Sequence, residues 1–140
     1  SSIVRVNLAD LYRSLGDEGA ARAILEEGLA LSADDGALWF SKALLEIRDG
    51  NPQAGLKALE TAATLEEIPG YYHYVLAVAQ NDQGHLDKAL ATLQQIHNVA
   101  PGQPNVLSAL MQYSNTAGDR PAAERYRAEL RATLQAAGLQ

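Results

Sequence analysis

Apolar residues return along this chain at three- and four-residue steps, in short bursts broken by polar or glycine-containing stretches. Ile3, Leu8, Leu11, Tyr12 and Leu15 make the first burst, the spacing of one helical face. Ala20, Ala21, Ile24, Leu25, Leu29 and Leu31 make the second, and Ser32-Ala33-Asp34-Asp35-Gly36 closes the pair. Ala37-Leu38-Trp39-Phe40 with Ala43, Leu44 and Ile47 opens a second pair. Its other stripe is Ala54, Leu56, Leu59, Ala62, Ala63 and Leu65, ended by Ile68-Pro69-Gly70. The third pair has Tyr71-Tyr72-His73-Tyr74, Leu76, Ala77 and Val78, then Leu86, Ala89, Leu90, Leu93 and Ile96. Pro101-Gly102-Gln103-Pro104 separates it from Val106, Leu107, Leu110, Met111 and Tyr113, and a last stripe runs through Tyr126, Leu130 and Leu134. The periodicity predicts eight helices joined by short turns, with no hairpin signal.

The break inside each pair is the same: Leu15-Gly16-Asp17, Asp49-Gly50-Asn51, Gln83-Gly84-His85 and Ala117-Gly118-Asp119, the glycines 34 residues apart each time. Glycine suits the left-handed conformation after a helix end. Asp17 can cap the helix that follows, and Pro52 and Pro121 fit its first turn. A fixed period of this length marks a repeat architecture, in which one helix pair cannot bury its apolar stripe alone and stacks on the next.

Aligning the chain on that period gives columns. Five positions after each turn glycine stand Ala21, Gly55, Ala89 and Ala123, small residues that allow two helices to approach. Four positions later come Leu25, Leu59, Leu93 and Arg127, the last a departure. On the first helices one column reads Ala9, Ala43, Ala77 and Met111, preceded by Leu8, Lys42, Leu76 and Leu110. These columns resemble the tetratricopeptide repeat family over nearly the whole chain. The family's Trp slot holds Arg5, Trp39, His73 and Leu107, its Tyr slot Tyr12, Glu46, Gln80 and Ser114, and its closing proline stands only at Pro101. An RNA-reading helical repeat of about 35 residues fits less well, because the step is 34 throughout and the chain is acidic. A generic helical bundle would not need the period.

The resemblance implies an all-α, right-handed α-solenoid of helix–turn–helix repeats. A single domain of residues 1–140 is expected, with repeats at roughly 2–35, 36–69, 70–103 and 104–137. It also implies that the first helices line a concave groove that receives an extended peptide or a partner helix. Carried over by position, the groove residues are Val6, Asp10 and Arg13, then Phe40, Leu44 and Arg48. The third repeat supplies Tyr71, Tyr74, Val78 and Asn81, and the fourth Ser108, Gln112 and Asn115. Family members that clamp a chaperone's terminal carboxylate use Lys, Asn and Arg where this chain has Val6, Asp10, Ser41, Tyr71 and Val75. Asp10 would repel a carboxylate, so that ligand is not expected. Phe40, Leu44, Tyr71, Tyr74 and Val78 make an apolar centre that either binds a peptide or packs against neighbouring repeats.

Charge and chemistry narrow the function further. The net charge is −6, against nucleic acid, whose phosphates need clustered Lys and Arg. The charge is graded, with −4 over residues 1–35, −2 over 36–69, −1 over 70–103 and +1 over 104–140. This is either a solvated surface or a pair of ends made to meet. No apolar run approaches the roughly 18 residues of a membrane span, so no membrane insertion is expected. Cysteine is absent, which removes disulfide, thiolate and iron–sulfur chemistry. The start, Ser1-Ser2-Ile3-Val4-Arg5, has neither a signal-peptide core nor Met, as expected of a piece of a longer or trimmed protein. A soluble protein of the cytoplasm or the bacterial periplasm fits equally.

No cofactor and no metal is expected. His73, His85 and His97 are twelve residues apart, so no two share adjacent turns of a helix. Glu26-Glu27 and Glu66-Glu67 fit solvated helix ends, Ser14 and Ser32 lack the context of an activated nucleophile, and Gly16-Asp17-Glu18-Gly19 is no phosphate loop. The leading expectation is a protein–protein interaction scaffold without catalysis. The second is a self-assembling module, a homo-oligomer stacked through its open repeat ends. The third is a docking or regulatory region of a larger bacterial enzyme or envelope protein.

Overall fold

Each predicted burst is a helix. The computed structural model describes residues 2–139; Ser1 and Gln140, the outermost residues of the expected domain, lie outside the described residues. The helices are α1 (Ser2–Ser14), α2 (Glu18–Leu31), α3 (Gly36–Arg48), α4 (Pro52–Leu65), α5 (Tyr71–Asp82), α6 (Leu86–Val99), α7 (Pro104–Thr116) and α8 (Arg120–Ala136). Among the described residues there is no strand, and no helix is long and apolar enough to cross a membrane.

The four turn glycines all sit in the left-handed region, with φ of 81°, 83°, 84° and 80° at Gly16, Gly50, Gly84 and Gly118. Nothing lies within 4 Å of where a side chain would begin, so backbone shape alone selects glycine there. The residue after each glycine donates its N–H back across the turn. Asp17 reaches the Tyr12 carbonyl at 2.8 Å, Asn51 that of Glu46 at 2.8 Å, His85 that of Gln80 at 2.8 Å and Asp119 that of Ser114 at 2.9 Å. These are Schellman closures. The four acceptors are the Tyr-slot residues, so that column is fixed by its backbone while its side chains vary.

Capping is selective. The Asp17 carboxylate accepts from the Ala20 N–H at 3.0 Å and that of Asp119 from Ala122 at 3.1 Å. Asn51 and His85, at the same position, make no side-chain cap bond. Asp35 caps α3 through the N–H groups of Ala37 and Leu38 at 3.0 and 3.3 Å. The small column is buried throughout. A Cβ on Gly55 would strike Ile47 Cγ1 and come 3.1 Å from the Ala43 carbonyl oxygen, so α3 and α4 touch where glycine stands.

The helices form two compact units, one ending at Glu67 and the other starting at Ile68. In the first, Ala9, Ala21, Leu25, Leu29, Leu38 and Leu45 make the core, with Val6, Tyr12 and Trp39 packed against it. In the second the core is Ala77, Ala89, Leu93, Ile96, Val106, Ala109, Leu110 and Tyr113, joined by Tyr74, Leu86, Leu90 and Tyr126. Leu25 and Leu93 hold the same column in the two cores, and each fully buried leucine contributes about 1.5–3 kcal/mol.

Candidate functional site: the faces of the first helices

In the first unit, Val6, Asp10 and Arg13 follow one another at helical spacing on α1. Val6 rests against the core. The Arg13 guanidinium donates to the Asp10 carboxylate at 3.0 Å, and most of its side chain is covered. The long stem thus lies along apolar surface. On α3, which packs against α1, Phe40 and Leu44 are half-buried and Arg48 is exposed. The unit therefore presents an apolar strip bordered by a neutralised ion pair and one arginine.

In the second unit, α5 carries Tyr71, Tyr74, Val78 and Asn81 on one side. Tyr71 is 65% exposed, its ring centroid 6.5 Å from that of Tyr72 and tilted by 53°. Tyr74 is half-buried against the core, and Val78 is half-buried beside it in sequence register. The Asn81 side chain hydrogen-bonds with the Tyr113 hydroxyl. Burial pushes the Tyr113 hydroxyl above its ordinary pKa, and Asp82 and Tyr74 push it the same way. Ser108, Gln112 and Asn115 are exposed along α7. Within this unit the expected residues make an aromatic stretch on α5 and a neutral hydroxyl and amide margin on α7.

Two features were not anticipated. A cavity of about 260 Å³ opens between α3 and α4, lined by Trp39, Lys42, Glu46, Ala54, Lys57, Ala58 and Thr61. The Lys42 ammonium lies 5.7 Å from the Trp39 ring centroid, a cation–π distance, and the indole N–H donates to the Ala33 carbonyl at 2.7 Å. The sequence signal was Lys42 in a column otherwise filled by leucine. The second is a charge cluster between α2 and α3. Arg22 pairs with the buried Glu46 and, at 3.1 Å, with Asp49. A hydrogen bond to Asp49 raises the pKa of the Glu18 carboxyl. Glu46 in the Tyr slot was the clue.

The histidines stay separate. His73 is buried, His85 heads α6, and His97 lies 3.2 Å from Glu129 and edge-on to Tyr126. Among the described residues, no group of three His, Asp or Glu side chains could hold a metal ion. The first-helix faces offer apolar area, hydroxyls, amides and a few charges.

Comparison with known proteins agrees with the columns. Models of the tetratricopeptide repeat match residues 4–35 and 70–95. The chain carries tetratricopeptide repeats. A crystal structure of MamA superposes with a TM-score of 0.84 at 17% identity, over 99% of this chain and 81% of that one. A second MamA crystal structure gives 0.80 at 18%, over 96% and 74%. MamA 41-end from Desulfovibrio magneticus RS-1 gives 0.79 at 15%, over 97% and 77%. At such identities the likeness carries the fold: all-α, built of helix–turn–helix repeats. No curated protein matches the chain by sequence.

Proposed function

We propose that this chain is a protein-interaction scaffold that holds an extended peptide or partner segment against its first helices and performs no catalysis of its own. The observation that supports this most is on α5. Tyr71 projects with 65% of its surface exposed beside Tyr72, while Tyr74 is half-buried against the core. Exposed aromatic area next to a rigid base is what binding hot spots are made of. Phe40 and Leu44 supply a second apolar strip, edged by Arg48, and Ser108, Gln112 and Asn115 supply bonds for a peptide backbone. With a net charge of −6, the scaffold favours neutral or basic segments with an apolar centre.

Peptides selected from a random display library against the chain provide the ligand for a test. Replacing Tyr71 and Val78 by Ala is expected to weaken such a peptide at least tenfold, about 1.4 kcal/mol, with helicity unchanged. Tyr74→Ala and Phe40→Ala belong in the same set with folding measured alongside. Lost folding would assign those two to packing, and unchanged capture by all four variants would remove the reading.

A further inference from the structure

α1 has a second apolar face, separate from the one assigned to peptide binding. Val4, Leu8 and Leu11 lie on it, 62%, 38% and 53% exposed. One repeat later, Val4 and Leu11 correspond to Leu38 and Leu45, which are 1% and 0% exposed in the first unit's core. In the second unit the three positions become Val106, Leu110 and Tyr113, all buried in that core. The first unit shows what this face is for. The two Leu38 methyl groups lie 3.1 and 3.2 Å from the Cβ position of Gly28 on α2. These residues seat a first helix on the second helix of the repeat before it.

α8 presents a seat of the same kind. A hollow of about 290 Å³ is lined by Met111 of α7 with Arg127, Leu130, Arg131 and Leu134 of α8, and by Leu139. Met111 and Leu130 occupy the columns of Ala77 and Ile96, which are buried in the second unit's core together with Val106. Val106 with Ile96 puts a β-branched residue on the incoming helix and a large aliphatic one in the seat. Val4 with Leu130 repeats that combination. Charge differs in sign between the two ends: residues 1–35 sum to −4, with the acidic excess on α2 and the loop after it, while α8 carries Arg120, Arg125, Arg127 and Arg131 against Glu124 and Glu129.

We propose that these two surfaces are complementary, so that α1 of one copy of this chain seats on α7 and α8 of a second copy, head to tail. The surfaces differ from each other, so the contact is heterologous and can propagate beyond a pair. Leu11 and Val4 drive it by apolar burial. α1 itself carries Arg5 and Arg13 against Asp10, so the acidic partners for Arg127 and Arg131 are those of α2, Glu26 and Glu27 among them. That pairing makes the contact salt-sensitive.

Light scattering of the 140-residue chain from micromolar to millimolar concentration tests this, with circular dichroism confirming the fold of each variant. The wild-type mass should rise with concentration and fall in high salt. A head-blocked variant, Val4→Glu with Leu11→Glu, should stay monomeric alone. So should a tail-blocked variant, Arg127→Glu with Arg131→Glu. Mixed, the two should form a one-to-one dimer and stop, because one intact face of each remains. A wild-type monomer at every concentration would overturn the proposal and leave these faces to another segment or another protein. So would assembly that survives both sets of substitutions, or variants that fail to pair on mixing.

Discussion

The two units share their turns and their core columns but are fastened differently. In the first, charges bridge the helices: Arg5 meets Glu27 at 3.2 Å, and Arg22 holds Glu46 and Asp49. In the second, neutral and aromatic groups do most of it, beside the His97–Glu129 contact at 3.2 Å. The Tyr126 hydroxyl donates to Gln94 at 2.7 Å and the Thr92 hydroxyl to Gln80 at 2.8 Å, and Asn81 meets Tyr113. The repeat thus prescribes backbone turns and apolar columns and leaves the fastening free. Partly exposed ion pairs weaken in salt, whereas buried neutral hydrogen bonds answer to desolvation and to the ionisation of their own groups.

The largest expected effect tests what the units have in common. Leu25→Ala and Leu93→Ala empty the same column, and each should cost about 2–5 kcal/mol. Trp39, the only tryptophan, reports the first unit by fluorescence. Amide exchange in α6 reports the second. A large cost at only one of the two leucines would break the equivalence of the cores.

Arg22→Leu comes next. It strands the buried Glu46, and with Arg22 about a third exposed the expected loss is about 1–3 kcal/mol. The Trp39 transition should shift, and the salt sensitivity of the first unit should fall with it. Gly16→Ala and Gly84→Ala should then match each other at about 1–2 kcal/mol, the cost of a left-handed backbone with a Cβ. Unequal values, measured by denaturant titration, would show that the turns are not interchangeable.

The smallest effect separates the fastenings. Tyr126→Phe removes a bond worth about 0.5–1.5 kcal/mol. Burial raises the pKa of Tyr126, as it does that of Tyr113. An unfolded tyrosine ionises at about pH 10, so these groups' contribution is complete below that pH. It is lost as pH rises toward their higher folded values. The denaturant midpoint of the second unit, followed by circular dichroism, should therefore fall in alkali, and Tyr126→Phe should blunt that fall.

Much of this was legible in the sequence because turn and column are local or periodic. Glycine at 16, 50, 84 and 118 reports a backbone angle that other residues rarely adopt, and Ala21, Gly55, Ala89 and Ala123 report a distance between helices. The Arg22–Glu46 pair was not legible. Its members are far apart in the chain, and it depends on how two particular rotamers meet across packed helices. The cavity beside Trp39 was hidden for the same reason, whereas the Asp35 cap is local and lay within a polar stretch that reads only as the end of a repeat. The first-helix faces lie between these cases. Helical spacing placed Tyr71 and Tyr74 on one side of α5, but depth divides them: Tyr74 packs against the core and Tyr71 stands 65% exposed.

The proposed binding faces are those of α1 and α3 in the first unit and of α5 and α7 in the second. The most direct measurement is a set of amide chemical-shift changes on titrating a library-selected peptide into the labelled chain. The largest changes are expected around Phe40, Leu44, Tyr71 and Val78, with little change along the outer positions of α2, α4, α6 and α8. Shifts concentrated on those second helices, with Tyr71 and Val78 unmoved, would contradict it.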